Sequence, residues 1–211
     1  FGPVVRPVWT VIIFYEGNDW ENLATELNKP WLTEALQPKP DFGPTTVGPE
    51  AIARVRAQIA RWENAGPVET IDVIQRGNVP RNFLALHQTW SRLGLAYPKS
   101  ANAIPQFAEI LERGRALTSR WGGRIAILYL PQSTRFMGLL PNGFAYDPMR
   151  SKVLEAAQHA KVPVIDLTPH FEAHPTPIAL YGENHLAPAG ADMVAKVLSA
   201  GLRNIRKGTA P

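Results

Sequence analysis

The sequence predicts an α/β domain in which helices cover both faces of a mostly parallel sheet. Two observations carry this prediction. Apolar runs rich in β-branched and aromatic residues recur along the 211-residue chain, and such runs are typical of strands buried on both faces. Segments with helical periodicity separate these runs, as the βαβ construction of a parallel sheet requires. We therefore expect a single three-layer α/β/α domain over residues 1–211.

Three strands are predicted, at residues 8–15, 124–130 and 162–167. Three strands are few for a domain with several helices, so the sheet is expected to have an open edge. Further strands upstream of Phe1 would complete that edge, or a protein partner would cover it. We therefore expect the first strand or strands of the fold to be absent from the chain, and the lack of an initiator methionine agrees with this expectation.

Helices are predicted at residues 49–65, 82–95, 106–120, 148–160 and 188–206. Proline is common in the first turn of a helix, and Pro188 supports the start of the last helix. Glycine is common just after a helix, and Gly122 and Gly123 support the end of the third. The stretch at about 20–105 is rich in proline and tryptophan and is interpreted as an insertion that packs over the sheet. Its tryptophans either fill a local core or offer rings on which sugars stack.

Composition excludes several classes of protein. The chain has 45% hydrophobic and 19% charged residues, which suits a globular domain, and no cysteine, which excludes disulfides and thiolate catalysis. No apolar run approaches the roughly 20 residues that a transmembrane helix needs. The net charge of +4 is spread along the chain without a recognisable nucleic-acid-binding module, so we predict no nucleic-acid partner.

Asp166, His170 and His174 stand four residues apart and are candidate metal ligands. On one helix this spacing would place ligands on adjacent turns. Pro169 and Pro175 argue against such a helix. We therefore predict neither a metal nor a cofactor.

The end of the first predicted strand carries residues suited to binding an oxyanion. Glu16, Gly17, Asn18 and Asp19 follow the strand directly. Ligands of open α/β sheets gather beyond the carboxyl ends of the strands, where the Gly17 N–H and the Asn18 carboxamide can point at a developing negative charge. The alternative is an ordinary turn, because glycine, asparagine and aspartate all favour turns.

A histidine near the other end of the chain is the predicted catalytic base. His185 follows Gly182, Glu183 and Asn184, and comes just before the helix that begins near Pro188. A side chain so placed is held by the helix start rather than left mobile.

These two segments resemble the SGNH (GDSL-type) hydrolase superfamily. The run from Glu16 to Asp19 is similar to the third sequence block of that family, and the run from Gly182 to His185 is similar to the fifth. The resemblance implies a flavodoxin-like fold, a catalytic His185, and an oxyanion site made by Gly17 and Asn18.

The chain departs from the family in two ways. It has no Gly-Asp-Ser block to supply the nucleophile, which would lie upstream of Phe1. The family also has an acid three residues before the histidine, where this chain has Gly182, so Glu183 is the nearest substitute for orienting His185.

Two functions stay open from the sequence. With an upstream serine, the domain would be an esterase or O-acyltransferase acting on ester-linked acyl groups, including acylated glycans. Without one, it would be a catalytically inactive SGNH-like domain that serves as a structural or binding subunit, held through the open sheet edge. Whether the chain is an enzyme is thus undecided, and a periplasmic or secreted location is slightly favoured over a cytoplasmic one.

Overall fold

The computed structural model describes residues 5–29, 49–64, 93, 104–139, 143–182 and 185–208. Within them lie three strands, β1 (Trp9–Tyr15), β2 (Arg124–Leu130) and β3 (Val164–Asp166). The α-helices of the described residues are α1 (Asp19–Glu26), α2 (Pro49–Asn64), α3 (Gln106–Ser119), α4 (Gly143–His159), α5 (Thr168–Glu172) and α6 (Pro188–Lys207). Two short 3₁₀ helices follow β2 and α5, at Ser133–Phe136 and Pro177–Leu180.

The described strands form one parallel sheet in the order β1-β2-β3. β1 and β2 pair along their whole length, from Trp9 opposite Arg124 to Tyr15 opposite Leu130. β3 pairs with β2 on its other side, so the central strand is β2. The prediction of an α/β domain with a parallel sheet is confirmed at this level.

Side chains alternate along β2 between two separate apolar layers. Ile127 and Tyr129 belong to a core that includes residues of α3 and α4, whereas Leu128 packs in a second core with residues of α6. Helices therefore lie on both faces of the sheet, and this is why the central strand is apolar from Ile125 to Leu130.

Two glycines let α6 approach the rest of the fold closely. A side chain at Gly190 would collide with the carbonyl oxygen of Leu180, and one at Gly201 would come within 2.7 Å of Ile165 Cδ1. The first contact brings the start of α6 against the 3₁₀ helix before it, and the second seats the helix on β3. The position of the segment that carries His185 follows from these contacts.

Most predicted elements agree with the structure to within one residue: β1, β2, α2, α3 and α6. β3 is shorter than predicted, because only three of its residues pair with β2. The predicted start of α4 at residue 148 is wrong, since the helix begins at Gly143 and contains Pro148. Tyr146 in its first turns is buried in the core, and this packing extends the helix ahead of the proline.

The predicted insertion at about 20–105 is only partly described. It contains α1 and α2, of which α1 was not predicted, and the predicted helix at 82–95 lies outside the described residues except for Leu93. Trp20 at the start of α1 is buried between Phe14 and Phe107, with ring centroids 5.4 and 5.2 Å away. For this tryptophan the local-core alternative holds.

No helix among the described residues is both long and apolar enough to cross a membrane.

Candidate active site

A cavity of about 550 Å³ lies at the carboxyl ends of β1 and β2. Its volume falls within the range of about 300–1,000 Å³ that is common for small-molecule sites. It also lies at the edge of the sheet where open α/β folds bind their ligands. The described residues that line it are Tyr15, Leu130, Ser133, Tyr181, Gly182, His185 and Leu186.

His185 reaches this cavity from a tight loop ahead of α6. The Gly182 N–H donates to the His185 carbonyl oxygen at 2.7 Å, and Tyr181 and Leu186 form an antiparallel bridge across the loop. The Ala187 N–H closes its base by donating to the Leu180 carbonyl oxygen at 2.9 Å. The backbone of His185 is thus fixed, while its imidazole forms no hydrogen bond to another residue of the described chain.

Ser133 lies on the wall of the same cavity. It begins the 3₁₀ helix that follows β2 by three residues, and it is half-buried. Its hydroxyl forms no hydrogen bond within the described part of the protein. The cavity therefore contains a serine hydroxyl and an imidazole that are both available to a ligand.

A buried carboxylate, that of Glu16, joins the end of β1 to the turn that carries Ser133. Its two oxygens accept hydrogen bonds from the Tyr129 hydroxyl at 2.6 Å and from the Gln132 N–H at 2.9 Å. Arg135 donates to the same carboxylate through Nη2 at 2.6 Å and Nε at 3.1 Å. Only 2% of Glu16 and 4% of Arg135 is exposed, so this ion pair is shielded from water.

Arg135 is held on its other side as well. Its Nη1 donates to Asp147 at 2.7 Å, and its guanidinium lies 5.4 Å from the centre of the Tyr146 ring. Burial alone would lower the pKa of Arg135, but the hydrogen bonds and charges of Glu16 and Asp147 outweigh it and raise that pKa. We call Glu16, Tyr129, Arg135 and Asp147 the rim cluster.

Two tyrosines of the cavity wall stay neutral at physiological pH. Burial raises the pKa of Tyr181, with further contributions from Tyr15 and Glu16, and the Tyr181 hydroxyl donates to the Pro131 carbonyl oxygen at 2.8 Å. Burial likewise raises the pKa of Tyr15, aided by the nearby charges of Glu16 and Asp19. Both rings therefore present uncharged aromatic surface to a ligand.

The predicted oxyanion residues lie beside the cavity rather than on its described wall. The Tyr15 ring lies against Gly17, where an added Cβ would collide with Tyr15 Cε1. Asn18 precedes α1 as its N-cap residue, is exposed, and makes no side-chain capping bond. Of the predicted site residues, His185 lines the cavity, Gly17 and Asn18 follow the lining residue Tyr15, and Glu183 lies outside the described residues.

The turn alternative also describes the local geometry at the end of β1. The Asp19 carboxylate accepts a hydrogen bond from the Tyr15 N–H at 2.7 Å, which closes the segment between the strand and α1. Burial raises the pKa of Asp19, and this hydrogen bond partly opposes the rise. The turn leaves the Asn18 carboxamide unused by the helix, so the two interpretations are compatible.

Sequence reasoning missed the rim cluster and Ser133. Glu16 belonged to the recognised segment, but its partner Arg135 is 119 residues away, and no local pattern joins the two. An available signal was a glutamate directly after a largely apolar strand, because a carboxylate placed there has to find a buried partner.

The described part of the chain contains no group of three or more His, Cys, Asp or Glu side chains arranged to hold a metal ion. Asp166 instead accepts from Arg150 Nε at 2.6 Å and from the Thr168 N–H at 2.9 Å. Asp166, His170 and His174 do not share one helix, as the prolines predicted: Asp166 ends β3, and α5 begins at Thr168 with Pro169 in its first turn. That helix ends before His174.

Comparisons of the chain with family models, with curated proteins and with solved structures found no match.

Proposed function

We propose that this domain acts on ester-linked acyl groups, as an esterase or O-acyltransferase of the SGNH-like type, with His185 as its general base. The observation that carries the proposal is the cavity itself. It joins the His185 imidazole to a serine hydroxyl and two neutral aromatic rings at the carboxyl ends of parallel strands. The resemblance of the segments around Asn18 and His185 to the SGNH superfamily supports the same chemistry.

In the proposed reaction a hydroxyl nucleophile attacks the ester carbonyl while His185 accepts its proton. The carbonyl oxygen becomes negatively charged and needs hydrogen-bond donors near it. Asn18 is suited to this role because its carboxamide is exposed and makes no capping bond. His185 then returns the proton to the leaving alcohol. The acyl group is now bound to the nucleophile, and an acceptor hydroxyl takes it from there.

The acceptor decides between the two activities. Water gives an esterase, and a sugar hydroxyl gives an O-acyltransferase. The rings of Tyr15 and Tyr181 offer a surface for an acyl chain or a sugar ring, so an acylated glycan fits both possibilities.

The test is hydrolysis of short-chain p-nitrophenyl esters by the full chain. His185→Ala should lower kcat/KM by about 100-fold or more, since a positioned general base contributes roughly 10²–10⁴-fold. The matched control is His159→Ala, because the His159 side chain is 74% exposed at the end of α4 and lies beside Glu112 on the surface. Equal losses in the two variants, or none in either, would remove His185 from the site.

A second candidate is a catalytically inactive SGNH-like subunit of a larger assembly. The observation that favours it is the outer strand β1, which pairs only with β2 in the described sheet and leaves Ile13 58% exposed. Its test is hydrogen exchange of the β1 amides, which should be slow in the native assembly and fast in the isolated chain. Ester turnover by the isolated chain would count against this candidate.

A further inference from the structure

The amino ends of the described strands carry exposed basic residues. Arg124 opens β2 and lies opposite Trp9, the first residue of β1. Further along β2, Ile127 lies opposite Val164, the first residue of β3. Lys161 comes three residues before Val164, as Arg124 comes three residues before Ile127. The two basic residues are therefore at the same level of the sheet, and both are exposed.

Two helices that return to this edge of the sheet also end in basic residues. α3 is followed by the exposed Arg120, just ahead of β2. α6 begins beside the cavity, passes β3 where Gly201 meets the Ile165 side chain, and ends in Arg206 and Lys207. The last turn of α6 therefore lies toward the amino end of the sheet.

We call Arg120, Arg124, Lys161, Arg206 and Lys207 the basic face. All five residues are exposed, and none of them forms an ion pair with another residue that the structure describes. The C-terminal ends of α3, α4 and α6 favour nearby cations, but each contributes only about half a negative charge. Five full positive charges exceed that total, so the face stays positive.

Apolar and aromatic side chains stand among these cations. Val8 is 72% and Val5 60% exposed, and the Arg124 N–H donates to the Val8 carbonyl oxygen at 2.9 Å. The Arg124 guanidinium lies 5.7 Å from the centre of the half-buried Trp9 ring. Trp121, also half-buried, donates from Nε1 to the carbonyl oxygen of the residue before Val8 at 3.0 Å. The surface thus combines positive charge with exposed apolar groups and tryptophan rings.

We propose that the basic face binds the surface of an anionic lipid membrane. Clusters of four to eight Lys and Arg side chains are attracted to anionic headgroups. Apolar and tryptophan side chains enter the boundary between headgroups and acyl chains. The exposed valines favour lipid over nucleic acid, because a phosphate backbone offers them no apolar partner.

The inference goes beyond the proposed function and does not depend on it. The cavity lies at the carboxyl ends of β1 and β2, which is the opposite edge of the sheet. A domain bound through its basic face therefore opens its cavity toward water, where a substrate reaches it from the aqueous side.

The first experiment measures cosedimentation of the full chain with vesicles of phosphatidylglycerol and phosphatidylcholine in about equal parts. We expect binding that weakens with salt and is lost with phosphatidylcholine alone. Each basic side chain near an anionic surface strengthens binding about fivefold, so Lys161→Gln/Lys207→Gln should weaken it about 25-fold.

The matched control is Lys152→Gln/Lys196→Gln, which removes the same charge from positions midway along α4 and α6. It should weaken binding less than about threefold, because these residues lie away from the basic face. Circular dichroism confirms that both variants are folded. No binding to the anionic vesicles, or equal weakening by the two variants, overturns the proposal.

The second experiment separates lipid from other polyanions. Val8→Asn should weaken vesicle binding about 5- to 10-fold, because the valine loses its burial among the lipids. Leu139→Asn is the control, since Leu139 is 81% exposed beyond the 3₁₀ helix that follows β2. Equal binding by these two variants, or tighter binding of duplex DNA than of vesicles, contradicts a membrane partner.

Ester turnover distinguishes this proposal from the proposed function. None of Val8, Lys161 and Lys207 lines the cavity, so their variants should keep the kcat/KM of the unmodified chain. Vesicle binding without turnover would overturn only the proposed function, and turnover without vesicle binding would overturn only the basic face as a membrane site.

Discussion

The body of the sheet and its carboxyl-end rim are equally buried but chemically different. In the body, Ile127 is 0% and Leu128 1% exposed, and both are apolar. At the rim, Glu16 is 2% and Arg135 4% exposed, and both are charged. Burial of apolar area stabilises the fold by about 25 cal/mol per Å², whereas burial of an ion pair brings little net gain. The body therefore accounts for stability, and the rim cluster for the position of the turn next to the cavity.

The largest expected effect comes from breaking the buried ion pair. Glu16→Ala leaves Arg135 with only the exposed carboxylates of Asp147 and Glu172 among the described residues, and it should lower the free energy of unfolding by about 3–5 kcal/mol. Urea denaturation followed by circular dichroism measures this change.

The matched control is Glu109→Ala. Glu109 and Arg113 lie at 2.7 Å, as close as the rim pair, but their side chains are 46% and 38% exposed. Water screens such a pair, so its loss should cost less than about 1 kcal/mol. Similar losses in the two variants would show that burial does not separate the rim from the surface.

The second prediction concerns turnover rather than stability. Asn18→Ala should lower kcat for ester hydrolysis by about 100- to 1,000-fold, because losing one oxyanion donor raises the barrier by roughly 2.7–4 kcal/mol. Its unfolding free energy should stay close to that of the unmodified chain, since the side chain is exposed and caps nothing. Asn28→Ala, which removes a surface contact to Ala24, serves as the control. Unchanged turnover in Asn18→Ala would exclude this oxyanion role.

A smaller effect compares one hydrogen bond at the rim with one methyl group in the body. Tyr129→Phe removes a donor to the Glu16 carboxylate and should cost about 1.5–3 kcal/mol, the usual range for a hydrogen bond to a charged group. Ile127→Val removes a methyl group from the same strand and should cost about 0.5–1.5 kcal/mol. If denaturation gives the reverse order, the rim cluster is less tightly coupled than its distances indicate.

The smallest effect is a pH dependence above neutrality. Burial, and then the charge of Glu16, raises the pKa of Tyr129 above the ordinary value of 10.0. As the pH rises, the Tyr129 hydroxyl therefore loses its proton in the unfolded chain before it does so in the folded chain. The free energy of unfolding consequently falls as the pH rises above 10. Urea midpoints below and above that pH should fall less steeply in Tyr129→Phe than in the unmodified chain. Equal slopes would mean that the Tyr129 hydroxyl is not shielded.

Local patterns predicted the body of the fold well. The bounds of β1, β2 and α6 follow from apolar periodicity and from Pro188, which act within a few residues. The start of α4 was missed because it depends on the burial of Tyr146 and on the contact of its hydroxyl with Thr134 at 2.6 Å. Thr134 lies outside the helix, so the apolar periodicity of the helix does not reveal this contact.

The rim was only half predictable for the same reason. His185 was found because the residues around it resemble a known motif, and the cavity contains it. Ser133 was not predicted as a cavity residue because no motif in the neighbouring sequence identifies it. What distinguishes it is that Glu16 accepts hydrogen bonds from Gln132 and Arg135, which lie on either side of it. These hydrogen bonds join residues more than one hundred positions apart.

The most direct test of the account is a crystal structure of the chain with a phosphonate analogue of a short-chain ester. The account predicts that the analogue occupies the cavity between Tyr15 and Tyr181, with a phosphonyl oxygen within hydrogen-bonding distance of His185. An analogue bound elsewhere, or an empty cavity at saturating concentration, would contradict it.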